Sequence, residues 1–165
     1  MRKLFHAGRQ LIKVRGVMFL SVGCAVGCVW AGIDLAQSYG LNPADGGVLA
    51  PLSVRLAWGI GGALLGIIFL VGMWIFGKCY VAKIEFDKQN KALHIYTVSF
   101  FGSEKHEINA SKVLSSQYHE GELNLDIYVN APWRTVRIKG RRLPFIVDEQ
   151  GVFLEEKIMN KLFKI

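Results

Sequence analysis

Two stretches of this chain contain no charged residue, Gly16 to Ile33 and Leu56 to Gly77. A helix of about 20 apolar residues, rising 1.5 Å per residue, crosses the hydrocarbon core of a bilayer. The pattern therefore predicts a transmembrane helix over 16–35 and another over 56–77, joined by a loop over 36–55. A basic segment before an apolar run also describes a signal peptide. This run outlasts an ordinary signal core and the sequence begins at Met1, so an uncleaved anchor is expected. Beyond Tyr80 the period changes. Tyr80, Ala82, Ile84 and Phe86 share one face and the charges take the other, which predicts a half-buried strand. Asp87 to Lys91 is a turn cluster, and Ala92 to Phe100 is rich in β-branched and aromatic residues. Phe101-Gly102-Ser103 breaks that strand, and Glu104 to Asn109 is a shorter one. Val113–Tyr118 and Leu123–Val129 flank Glu120-Gly121 as a hairpin, and Thr135–Lys139 and Leu143–Asp148 flank Gly140. Val152 to Phe163 carries apolar residues at helical spacing, a closing amphipathic helix.

The expected fold is thus membrane α+β. A two-helix transmembrane hairpin precedes a small antiparallel β domain of about seven strands with a C-terminal helix. The order of elements suits a pleckstrin-homology-like barrel. Residues 1–15 form a basic N-terminal arm and residues 78–165 the β-rich domain.

Composition refines this picture through charge. The chain is 52% apolar with a formal charge of +7, which excludes disorder. The arm carries Arg2, Lys3, Arg9, Lys13 and Arg15 and no acid, whereas the inter-span loop carries only Asp45 and Arg55. Cationic flanks resist translocation, so both termini are expected on the cytoplasmic side or its mitochondrial equivalent, the matrix. Trp30 and Trp58 at one end of the spans, and Trp74 and Tyr80 at the other, suit interfacial belts. Asn109-Ala110-Ser111 is formally a glycosylation sequon; modification there would overturn this orientation.

Small residues recur inside the spans. Gly23, Gly27 and Ala31 form one stripe on the first helix, and Gly62 and Gly66 form another on the second. Such stripes let backbones approach closely in lipid, so docking is expected, of the spans on each other or onto a larger membrane complex. Cys24 and Cys28 also share a face, but neither span offers further ligands, so they are expected to pack rather than bind metal. Cys79 is a lone thiol, and three cysteines supply no disulfide framework.

Catalytic signatures are missing: no nucleophile elbow, phosphate-binding loop, dinucleotide fingerprint or zinc-protease helix occurs. His106-Glu107 and His119-Glu120 are adjacent on strands, so each pair points to opposite faces. Of the four histidines, His6, His94, His106 and His119, the two beside a glutamate are expected as exposed turn residues. No enzyme, cofactor or metal is expected. The strongest polar feature is Arg134, Arg137, Lys139, Arg141 and Arg142, five cations in nine residues. Anionic headgroups such as cardiolipin, or an acidic partner subunit, would suit them, as would plain solvation. Nucleic acid is not expected, because only Trp133 lies beside the cations as a stacking platform.

The stretch Val136-Arg-Ile-Lys-Gly-Arg-Arg-Leu-Pro-Phe-Ile-Val-Asp-Glu-Gln-Gly-Val-Phe-Leu154, with Lys161-Leu-Phe163, resembles the C-terminal end of transmembrane protein 223. That family shows K-G-R-R, an apolar strand, an aspartate, a glycine turn and a short helix. Leu93-His-Ile-Tyr-Thr97 and Phe101-Gly102 resemble its strand before a phenylalanine–glycine turn. The plan of basic N-terminus, two close spans and compact domain is similar to the wider group with transmembrane proteins 70 and 186. The connection Gln37–Ser53 and the Gly-rich second span are not family requirements. The resemblance implies a mitochondrial inner-membrane protein, both termini in the matrix, that builds a respiratory complex or stays as an accessory subunit. It implies respiratory-complex subunits as partners, cytochrome c oxidase ahead of complex I or ATP synthase. It carries over no active site.

Overall fold

The computed structural model describes residues 1–41, 47–120 and 131–163. They form two units, residues 16–75 and residues 1–15 with 76–165. The expected strand Leu123–Val129 and the Glu120-Gly121 turn fall wholly or partly outside the described residues.

The first unit is the body of two long helices, α1 (Gln10–Ser38) and α2 (Leu52–Cys79). Both are long and apolar enough to cross a membrane. They run past the uncharged stretches because nothing between the punctuating residues breaks helical bonding. Gly40, at φ +96°, ends α1 in the left-handed region that favours glycine. Pro51 opens α2, where its missing N–H leaves no bond unmade and its carbonyl accepts from Val54 and Arg55. Arg55 Nη1 then donates to the carbonyls of Ala36 and Gln37 at 3.2 and 3.3 Å, so a cation satisfies the negative end of α1.

Between the helices the backbones approach closely. A Cβ on Gly32 would strike the Gly59 carbonyl and stand 3.2 Å from Ala63 Cβ. One on Gly66 would stand 2.6 Å from Cys28 Cβ and 2.9 Å from Ala25 Cα. The seam is therefore Ala25, Cys28, Gly32 and Ala36 against Gly59, Gly62 or Ala63, and Gly66, small residues three or four apart on each helix.

The second unit holds eight strands and a closing helix among the described residues. One sheet runs β4-β3-β2-β1-β8 and the other β5-β6-β7, all antiparallel. The strands are β1 (Arg2–His6), β2 (Val81–Asp87), β3 (Ala92–Ser99), β4 (Gly102–Asn109), β5 (Val113–His119), β6 (Trp133–Ile138), β7 (Phe145–Asp148) and β8 (Val152–Phe153). The Asp87 side chain accepts from Gln89 N and from Asn90 Nδ2, which fixes the first hairpin turn. A parallel bridge from Tyr80 to Ile146 joins the sheets. Val81, Ile84, Leu93, Ile95, Val113, Val136, Phe145 and Val147 are buried, as are Met159 and Phe163 on the inner face of α3 (Glu156–Phe163).

Two elements depart from the sequence pattern. Five residues of the expected basic arm form β1, an internal strand between β2 and β8. A bulge between Lys3 and Phe5 turns two adjacent residues inward, so Leu4 and Phe5 are both 0% exposed. Alternation is lost where a bulge sits, which is why the segment shows no strand period. The closing helix begins at Glu156 rather than Val152, because Val152 and Phe153 pair with His6 and Phe5. β1 and β2, the strands on either side of the apolar pair in the chain, thus lie in one sheet.

Candidate functional site

The small-residue stripes separate in the structure. Gly66 packs directly on α1, and a Cβ added at Gly62 would lie 3.9 Å from Gly32 Cα and 4.0 Å from Leu35 Cδ1. Gly23 and Gly27 face open space, where an added Cβ would meet nothing within 4 Å, and Ala31 is exposed beside them. Cys24 is exposed and Cys28 lies in the seam. Sequence reasoning missed Gly32 and Gly59, the closest backbone approach, because period four alone cannot say which of several small faces meets the partner helix.

The five expected cations do not form one patch. Arg134 shares the inner face of β6 with Val136 and Ile138, and its Nε pairs with Glu149 Oε1 at 2.7 Å, leaving the side chain 14% exposed. Arg137 lies on the opposite face of the same strand and is exposed, as are Lys139 and Arg142. Arg141 is held: its guanidinium lies 3.7 Å over the Phe145 ring and its Nη2 donates to the Lys78 carbonyl at 2.7 Å. That carbonyl belongs to the last turn of α2, where a cation meets the negative end of the helix.

Arg141 and Lys139 instead line a cleft of about 350 Å³ with residues the sequence never grouped. Lys105 and His106 come from β4, and Lys112 from a 3-10 turn at Ala110–Lys112. The turn is capped by Asn109, whose side chain accepts from Ser111 N. Lys139 N donates to the Lys112 carbonyl at 2.9 Å, which sets those two lysines side by side. Gly140, at φ +90° with open space beyond its Cα, leaves the mouth of the cleft clear. No spacing in the sequence signals this site, since β4 and β6 belong to different sheets and meet only through the 3-10 turn that follows β4.

The histidines are not exposed turn residues, because all three of the domain's histidines beyond β1 sit on strands. His94 is 3% exposed, with Nδ1 3.9 Å from Glu107 Oε2, its register partner on β4. His106 Nε2 lies 3.1 Å from Thr97 Oγ1, and burial, then the charge of Arg141, hold its pKa below the ordinary value. His119 stacks on Trp133 and lies 3.1 Å from Thr135 Oγ1. An apolar cleft of about 390 Å³ lies among Phe76, Tyr80, Trp133 and Ile146. Its one polar edge is Tyr80 Oη, which donates to Asp148 Oδ2 at 2.8 Å. Burial, then the bond and charge of Asp148, push that phenol far upward, so it acts as a fixed donor. Among the described residues no three His, Cys, Asp or Glu side chains are grouped to hold a metal ion.

Two membrane-length helices and a β domain knit from both flanks of that pair define a membrane-anchored protein of two-span type. The model of the TMEM70/TMEM186/TMEM223 protein family matches residues 44–165, and the chain belongs to that family. The match takes in α2 and everything that follows it. No curated protein matches the chain significantly.

Proposed function

We propose that this protein is a non-catalytic assembly factor or accessory subunit of a respiratory complex in the mitochondrial inner membrane, with both termini in the matrix. Family membership over residues 44–165 is the observation that carries the reading. The five cations of residues 1–15 and the near-neutral inter-span loop support the orientation. Cytochrome c oxidase is favoured over complex I and ATP synthase, on the resemblance of Val136–Leu154 to transmembrane protein 223.

The face of α1 that carries Gly23, Gly27 and Ala31 supports docking on a partner subunit. Its glycines take no part in the helix seam, and a smooth stripe of this kind admits a second backbone at close range. Phospholipid, cardiolipin included, is the second partner this reading allows, through the cationic side of the β domain. Native-gel separation of mild-detergent extracts, with mass spectrometry of each band, tests the proposal. Co-migration with a respiratory complex, lost on Gly27→Leu, is expected. A free monomer in every extract would end it.

A further inference from the structure

We propose that the cleft formed by Lys105, Lys112, Lys139 and Arg141 is a binding site for a phosphoryl group, the anionic centre of a phospholipid headgroup or of a soluble phosphate. The inference deepens the membrane reading and does not depend on the respiratory partner.

Three observations carry it. The first is unbalanced charge. Four cations line one cavity against a single lining carboxylate, Glu107, which stands toward His94, while Glu104 acts on Arg141 from outside the lining. None of Lys105, Lys112 and Lys139 has an acid within ion-pair distance among the described residues. Like charges gathered around a concave surface repel one another, and a bound anion removes that repulsion. The second is donor geometry. Arg141 is locked by the Phe145 ring and by one bond to Lys78, so its planar fork is fixed before any ligand arrives. A fixed guanidinium flanked by flexible ammonium groups is the donor set that suits phosphoryl oxygens. His106, held toward its neutral form, adds no charge of its own at neutral pH and lines the wall.

The third is position. The Lys78 carbonyl that anchors Arg141 lies one residue before the end of α2. One cation of the cleft is therefore tied to the last turn of α2, directly after the uncharged stretch that ends at Gly77. With about 350 Å³ it holds a phosphoryl group together with part of what the group esterifies.

The test uses the full chain, purified in phospholipid-free micelles and titrated with short-chain phosphatidylglycerol in one arm and inorganic phosphate in the other. Short-chain phosphatidylcholine is the reference, and native mass spectrometry reads the adducts. Lys112→Gln with Lys139→Gln should weaken binding about tenfold, as expected for two lost charge-assisted contacts. Arg137→Gln with Arg142→Gln removes the same charge outside the cleft and should leave binding unchanged. All four side chains are exposed, and circular dichroism verifies that each double variant folds. This pattern with phosphatidylglycerol identifies a headgroup site, and the same pattern with phosphate alone identifies a soluble ligand. Equal loss in both double variants, no loss in the Lys112/Lys139 variant, or no binding of either probe, overturns the proposal. Co-migration on native gels is a separate readout, so failure of one reading leaves the other standing.

Discussion

Gly66→Ala should loosen the helix pair, and Gly27→Ala should not. At position 66 the added methyl would stand 2.6 Å from Cys28 Cβ and 2.9 Å from Ala25 Cα. Carbon atoms rest at about 3.5–4.0 Å, so the two backbones must part by about 1 Å at that level. A radial gap of that size forfeits a quarter to a half of each dispersion contact along the seam. Overpacking of this kind costs about 1–3 kcal/mol. The better helix propensity of alanine offsets about 1 kcal/mol, which leaves a net loss of up to about 2 kcal/mol. Position 27 has nothing within 4 Å, so only the propensity gain remains there. Reversible unfolding of the full chain in mixed micelles, followed by far-UV ellipticity and tryptophan emission, measures both variants. A Gly66→Ala protein as stable as Gly27→Ala, or more stable, would refute the seam.

Further outcomes follow from the β domain. Phe5→Ala removes a fully buried ring that lies tilted against Phe153, centroids 5.1 Å apart, and should cost about 3–5 kcal/mol, read as early cleavage in limited proteolysis. Arg134→Ala strips Glu149 of its partner at a largely buried site and should cost about 1–3 kcal/mol, while exposed Arg137→Ala stays within about 0.5 kcal/mol. Denaturant midpoints of the two variants check this. Acid should weaken the fold in two windows. Burial and the Arg141 charge hold His106 below its ordinary pKa, so its neutral form is favoured in the fold and stability declines as pH falls below about 6.5. Burial opposes ionisation of Glu85, but hydrogen bonds from Lys83 and Tyr96 outweigh it and lower its pKa. Its contribution is complete above about pH 4.3 and is lost as pH falls through the folded value. Unfolding midpoints from pH 7 to 3 should flatten in the upper window for His106→Gln and in the lower for Glu85→Gln. Greater stability at pH 5 than at pH 7 would contradict the sign of the first.

What the sequence reveals of this molecule follows from how local each signal is. The apolar helices announce themselves because every side of them is uncharged, and β2 and β3 because their buried and exposed residues alternate. The family likeness is legible in the run Val136–Leu154, which needs no tertiary knowledge. β1 hides because its bulge breaks the period, and because its partners lie some eighty and one hundred and fifty residues along the chain. The cationic segment is visible as a run, yet strand alternation sends Arg134 inward and Arg137 outward. The lysines that do converge come from β4, a 3-10 turn and the end of β6, a grouping that exists only once register is set. Helix spacing likewise exposes small faces without saying which one finds a neighbour, so Gly66 and Gly27 look alike until the seam is known.

The place of β1 in the sheet has a consequence for biogenesis. This strand precedes both apolar helices in the chain, yet its neighbour β2 begins at Val81, after them. A chain with only one helix threaded would hold Leu4 and Phe5 across the bilayer from the strand meant to cover them. The sheet can close only when the polypeptide has gone out and come back, so the folded domain acts as a latch that registers completed insertion. Misthreaded copies would carry an open strand edge and bare aromatic residues, the marks by which proteases and chaperones recognise an unfinished protein.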